Sequence, residues 1–213
     1  MKILLCAATE GEIAPTVQYL ATHKTDVSIL ITGVGLLAAT YSLTKAVAIQ
    51  RPHLLLQAGI AGTFDRTQTL GSVVAVQSET VADLGVEEDG NFRSLFHLGL
   101  LDGNTHPWTD EKLINTNGIL STCGLPLVDG VTVNEISTNK NRMAHYTKAY
   151  NAQVESMEGA VLHYVGLMEA VPFLQLRSLS NFVGERDKSR WKMKDAIANL
   201  NTELQRLLKR LTE

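Results

Sequence analysis

The chain has 213 residues, 45% of them hydrophobic and 19% charged, enough apolar content to bury one sizeable core. Nineteen Lys plus Arg against 22 Asp plus Glu leave a formal charge of −3, which supplies no basic field for gripping a nucleic-acid backbone. The two cysteines, Cys6 and Cys123, lack metal-site spacing, which disfavours a disulfide scaffold or structural zinc and fits a reducing, cytoplasmic compartment.

Residues 2–8 form an apolar run too short for a membrane helix and without a signal peptide's longer core and cleavage region, so they read as a buried strand. A helix over 13–22 follows, with Ile13, Val17 and Leu20 at helical spacing; Pro15 is tolerated in a first turn, which predicts a start close to Glu12. A strand over 27–32 leads to a helix over 35–49, which carries Leu36, Ala39, Leu43 and Val47 on one side and stops before Arg51-Pro52. A strand over 53–58 completes an alternation typical of an α/β domain, a mostly parallel sheet with helices on its faces.

Strand-like segments at 71–78, 127–133 and 172–178 continue the sheet. Between the first two, residues 79–108 are polar, dotted with Gly and studded with Phe92, Phe96, His97, His106 and Trp108, the composition of a lid or an interface. The last helix, about 187–211, places Ile197, Leu200, Leu204, Leu207 and Leu211 at three- and four-residue steps. No repeat or linker interrupts the chain, so residues 1–213 are expected to form one domain.

Candidate chemistry gathers at strand ends. Gly33-Val34-Gly35-Leu36-Leu37-Ala38 satisfies Gly-x-Gly-x-x-Ala, yet it follows the second strand, and the strand at 53–58 ends in Gln57 with no acid for a ribose hydroxyl. A tight turn and a backbone site for a smaller polar ligand both stay open there. Ala58-Gly59-Ile60-Ala61-Gly62-Thr63 is either a turn or a place where small residues let a flat ligand approach the backbone. Glu12 is either a plain first-turn carboxylate or a base able to orient and deprotonate water. Glu155 and Glu158, three apart, could share a helix face, with one of them capping the helix. Arg177-Ser178-Leu179-Ser180-Asn181 brings an Arg and an Asn to a strand end, and a buried Arg177 needs a carboxylate, Glu12 or Glu158. The Thr9–Glu12, Gly33 and Ala58 segments all follow strands of one parallel sheet, outside whose ends ligands bind.

Taken together, Met1-Lys2-Ile3 through Glu12-Ile13, Gly33-Val34-Gly35, Ala58-Gly59-Ile60-Ala61-Gly62, Ser156-Met157-Glu158-Gly159-Ala160 and Arg177-Ser178-Leu179-Ser180-Asn181 resemble the purine nucleoside phosphorylase and nucleosidase superfamily. The match is nearest to its 5′-methylthioadenosine/S-adenosylhomocysteine nucleosidase branch. The tail Ser180-Asn181-Phe182-Val183-Gly184-Glu185-Arg186-Asp187, with Trp191, resembles the futalosine hydrolases, which cleave futalosine to hypoxanthine and dehypoxanthine futalosine in a menaquinone pathway.

The resemblance implies a nucleoside phosphorylase-like fold with a central mixed, mostly parallel sheet, and hydrolysis of an N-glycosidic bond without metal or cofactor. Glu12 would activate water with help from Arg177, and Glu158 would hold the ribose hydroxyls. Met157 would lie under the ribose, with Ala61 and Gly62 beside the ligand, and Asn181 would meet the base at N7 and O6. A carboxylate at Glu12 would repel a phosphate dianion, which favours hydrolysis over phosphorolysis.

Two departures from the methylthioadenosine branch matter. Asn181 replaces an Asp and suits a 6-oxopurine, whereas an acid suits protonation of adenine at N7. Ile60 replaces a Ser, which removes a hydroxyl contact to the catalytic water. The 5′ end is expected against Trp191, Val34 and Met157, with Phe96 or Trp108 donated by a neighbouring subunit. A substrate carboxylate would find its cation among Arg186, Arg190, Lys192 and Lys194. Val133 and Asn134 are expected to flank the base.

The implied partner is a small-molecule purine nucleoside, with no nucleic acid or membrane, in a homodimer sharing a lid over 84–108. The alternatives are a nucleosidase for methylthioadenosine, S-adenosylhomocysteine or aminodeoxyfutalosine, and a non-catalytic nucleoside- or dinucleotide-binding module.

Overall fold

The computed structural model describes residues 1–212. Its elements run β1 (Ile3–Ala7), α1 (Glu10–Ala21), β2 (Val27–Ile31), α2 (Leu36–Gln50), β3 (Leu54–Thr63), β4 (Val73–Val81), β5 (Gly85–Glu88), β6 (Asn91–Ser94), β7 (Leu113–Ile114), α3 (Gly118–Thr122), β8 (Leu127–Thr132), α4 (Lys140–Tyr150), β9 (Val154–Ser156), α5 (Gly159–Met168), β10 (Phe173–Phe182) and α6 (Met193–Thr212). Among the described residues no helix is long and apolar enough to cross a membrane.

The sheet is mixed and mostly parallel. β1 lies between β2 and β3, parallel to both, and every one of its five residues is buried, as a strand covered on both faces requires. β3 continues past β1 and pairs β10 in parallel and β9 antiparallel. With β10 against β4, β4 against β8 and β8 against β9, the pairings β3, β10, β4, β8, β9 close on themselves into a small ring.

One face of the sheet packs Ile13 of α1 and Leu200, Leu204, Leu207 and Leu208 of α6 against Leu5, Leu56 and Leu176. The other face packs Leu43 and Val47 of α2 and Leu162 of α5 against Leu4, Leu55 and Phe173. Helix, sheet and helix form three layers that keep both faces of β1 and of the first half of β3 dry, while β2 at the edge leaves Ile29 and Ile31 exposed.

Several boundaries differ from expectation. β3 and β10 run to Thr63 and Phe182, so Ala58–Gly62 and Arg177–Asn181 are strand rather than turns beyond strands. Their Gly and Ser residues read as turn signals, but continuous pairing between the two strands satisfies the backbone. α6 starts at Met193, after a 3-10 turn at Lys188–Arg190, and Ile197 lines a cavity at the strand ends instead of joining the core.

α1 starts at Glu10, which puts Pro15 in the second turn. Thr9 and Glu12 fix that start: the Thr9 N–H and hydroxyl both donate to Glu12 Oε2 at 3.0 Å. The turn around Pro15 is held from outside by the buried Asn201 of α6. Asn201 Nδ2 donates to the Glu12 carbonyl at 2.8 Å, and its Oδ1 accepts from the Thr16 N–H at 3.0 Å and hydroxyl at 2.7 Å. A regular helix would join that carbonyl and that N–H to each other.

Candidate active site

The carboxyl ends of β3 and β10, the first turns of α1 and the segment before α5 surround a cavity of about 410 Å³. Glu12, Val34, Met157, Glu158, Asn181 and Trp191 all line it, as do Ala61 and Gly62.

Glu12 is held from two sides. Oε2 takes the Thr9 bonds, and Oε1 accepts the Ile60 backbone N–H at 3.1 Å. The residue at 60 therefore serves Glu12 through its main chain, and its apolar side chain takes nothing from that bond. Glu158 stands at the N-cap of α5, and its Oε1 accepts the Gly35 N–H at 2.9 Å. Gly35 adopts φ +87°, a conformation open to glycine that turns this N–H toward the carboxylate. The Gly33–Gly35 turn thus spends its donor on a side chain of the same chain rather than on a phosphate.

Arg177 is 2% exposed and lies behind these carboxylates. Its Nη2 donates to Gln57 Oε1 at 3.0 Å, and its Nη1 donates to the Ile60 carbonyl at 3.4 Å and sits 3.9 Å from Glu158 Oε2. Of the two carboxylates proposed as its partner, the ion pair is with Glu158. Glu12 is brought near through Gly59: a Cβ there would collide with Arg177 Nη1 and stand 3.0 Å from Glu12 Oε1.

Other residues fall elsewhere. Val133 is fully buried in a cluster with Tyr146 and Tyr150, and Asn134 is exposed, with its N–H on Asp83. Neither lines the cavity; the chain turns away after β8, and Ile136 enters the wall instead. Glu155 lies on β9 while Glu158 caps α5, so they do not share a helix face. Residues 84–108 contribute nothing to the cavity wall; Phe96 packs edge-on against Trp108, and Trp108 against Tyr164 of α5. Among the four basic residues near Trp191, Arg186 lines the cavity with its guanidinium 5.8 Å from the Trp191 ring, whereas Arg190 is paired with Glu185 and Asp187.

A buried polar group behind the site carried no signal in the sequence. Glu79 of β4 accepts Gln175 Nε2 and the Thr132 hydroxyl, each at 2.9 Å, and burial pushes its carboxyl from 4.5 up to about 7. Nearby, burial lowers the His163 imidazole from 6.5 to about 4. A carboxyl raised in the fold keeps a proton that the unfolded chain has lost, so Glu79 removes stability as pH rises from 4.5 to about 7. His163 has the opposite sign, removing stability as pH falls from 6.5 to about 4. Glu79→Gln should therefore gain about 1.4 kcal/mol per pH unit relative to the parent across the Glu79 window, read from urea unfolding. A difference that stays constant with pH would overturn this assignment.

The arrangement offers two carboxylates facing one cavity, a guanidinium behind them and an amide at the far side. Such a site stabilises positive charge developing on a ligand and accepts a proton from water.

Comparison with known proteins agrees. Residues 7–213 match the family described as the phosphorylase superfamily. A futalosine hydrolase of Thermus thermophilus is 29% identical over 93% of this chain and 88% of its own length. One from Acidothermus cellulolyticus is 30% identical over 84% of this chain and 73% of its own. The crystal structure of a 5′-methylthioadenosine/S-adenosylhomocysteine nucleosidase from Colwellia psychrerythraea, in complex with adenine, superposes with a TM-score of 0.83 at 18% identity, covering 100% of this chain and 96% of that one. With its strand-end cavity and paired carboxylates, the chain belongs to the phosphorylase superfamily and, within it, to the family of the futalosine hydrolases.

Proposed function

We propose that the chain hydrolyses the N-glycosidic bond of futalosine, yielding hypoxanthine and dehypoxanthine futalosine as a step of menaquinone biosynthesis. The observation that carries this proposal is the convergence of Glu12, Glu158 and Asn181 on one cavity. As the C1′–N9 bond breaks, its electron pair leaves with the base, where the Asn181 amide N–H stabilises it at N7 or O6. Glu158 holds the ribose hydroxyls and opposes the positive charge on the sugar, an interaction stronger in the transition state than in the ground state. Glu12 takes a proton from the water whose oxygen bonds to C1′ and returns it to solvent, and solvent supplies the proton that completes the departing base as hypoxanthine. Arg186, beside Trp191, is the cation for the substrate's acidic aromatic end.

The proposal includes a cytoplasmic location, supported by the buried free thiols of Cys6 and Cys123, and a homodimer. Val34 at the cavity and Leu37 and Tyr41 of α2 expose apolar side chains, suited to a second copy that donates its 84–108 segment. Incubation with futalosine in phosphate-free buffer should release hypoxanthine from protein sedimenting at twice the 23.2 kDa chain mass. No release, or release only with added phosphate, would overturn the assignment.

A further inference from the structure

Gln57 interrupts the apolar run Leu54-Leu55-Leu56-Gln57-Ala58 with a polar side chain and is 2% exposed. On β3 it stands between Cys6 of β1 and Gln175 of β10, its register partners on either side. A polar group buried in such a strand is costly unless its hydrogen bonds are made. Gln57 makes them behind the candidate active site: Oε1 accepts from Arg177 Nη2 at 3.0 Å, and Nε2 donates to the Glu158 carbonyl at 3.2 Å. With Arg177 Nη1 lying 3.9 Å from Glu158 Oε2, the amide, the guanidinium and Glu158 close a circuit.

Within that circuit Arg177 makes its hydrogen bonds to neutral oxygens. Nη2 donates to Gln57 and Nη1 to the Ile60 carbonyl at 3.4 Å, while Nε has no partner among the described residues. A buried guanidinium so sparsely satisfied has a stronger acceptor beside it in the Glu158 carboxylate. A shift of about 1 Å would turn the ion pair into a charge-assisted hydrogen bond. The Gln57 amide opposes that shift, since its other end is tied to the Glu158 main chain and its backbone is paired on both sides. The distance matters because the Gly35 N–H occupies Glu158 Oε1, which leaves Oε2 for a ligand. Glu158 lines the cavity, whereas Gln57 and Arg177 lie behind its wall.

We propose that Gln57 is a positioning residue: its amide oxygen holds the Arg177 guanidinium back from Glu158, so that Oε2 stays free to accept a sugar hydroxyl and to face the positive charge that develops on the sugar. Without that acceptor Arg177 closes on Glu158 and spends the carboxylate on an internal ion pair. This inference rests on the site being that of a nucleosidase, whichever base leaves, so it is tested on whichever of futalosine and methylthioadenosine the parent cleaves faster.

Steady-state kinetics, with rates taken per folded molecule from circular dichroism, test it. Gln57→Met, of similar length but without the acceptor, should lower kcat about 100-fold with KM within about tenfold of the parent. Gln57→Glu keeps an acceptor at the same reach and should return kcat to within about tenfold of the parent. In an Arg177→Met background no guanidinium can close on Glu158, and there Gln57→Met should cost less than about threefold. That double variant replaces both partners by apolar side chains, so it decides the matter even where Gln57→Met alone does not fold. Parental kcat in Gln57→Met, an equal loss in Gln57→Glu, or the full loss repeated in the Arg177→Met background would overturn the role of Gln57 alone. A parent that cleaves neither nucleoside overturns the reading of the site, and this inference with it.

Discussion

Glu12→Gln should lower kcat by about 10²- to 10⁴-fold, the contribution of a positioned general base, with little change in KM. The glutamine keeps the length of the side chain and one carbonyl oxygen, so it can still accept from Ile60 or Thr9, each now on Oε1 or Oε2. It cannot take the proton of the attacking water. Glu158→Gln should fall by a comparable factor for a different reason. Its amide oxygen can keep the Gly35 bond, but the charge that opposes the developing sugar cation and pairs with Arg177 at 3.9 Å is gone. Steady-state release of hypoxanthine, with circular dichroism to verify folding, measures both. Near-parental turnover in either variant would remove that residue from the mechanism.

Gly59→Ala should abolish most turnover although it substitutes no side chain that lines the cavity. The new methyl would collide with the Arg177 guanidinium and stand 3.0 Å from Glu12 Oε1, so one or both must move. Displacement of about 1 Å at a reacting group is enough for a loss of about 100-fold. Arg177 has little room to yield, since it is buried with Gln57 and Ile60 as its partners. The expected result is a kcat at most about 1% of the parent with the unfolding transition still cooperative. Parental kcat would show that Arg177 and Glu12 tolerate separation.

The first layer of this site was legible because it obeys a rule of open α/β sheets: ligands meet the carboxyl ends of parallel strands. Glu12, Gly33–Gly35, Ala58–Gly62 and Arg177–Asn181 are scattered over most of the chain, yet each sits just after or late within an apolar run, and Glu158 heads an apolar helix. What surrounds them was not legible. Glu79 and Gln175 meet only because β4 and β10 pair within a closed ring, and nothing local in their sequence marks such pairing. Glu155 read as a helix residue because it stands three positions before Glu158; β9 is only three residues long, and its membership in the sheet depends on β3 and β8. Pro15 misplaced the start of α1 because its outside support, Asn201, lies 185 residues away from Thr16.

That support has a consequence for when the protein becomes competent. The carbonyl of Glu12 and the N–H of Thr16 are held by a side chain on the final helix, and Trp191 and Ile197 of the same region complete the cavity wall. Synthesis proceeds from the amino end, so the residue proposed to activate water is made well before the side chain that secures its turn. Until Asn201 has been made and has docked, the chain has Glu12 but not its anchor.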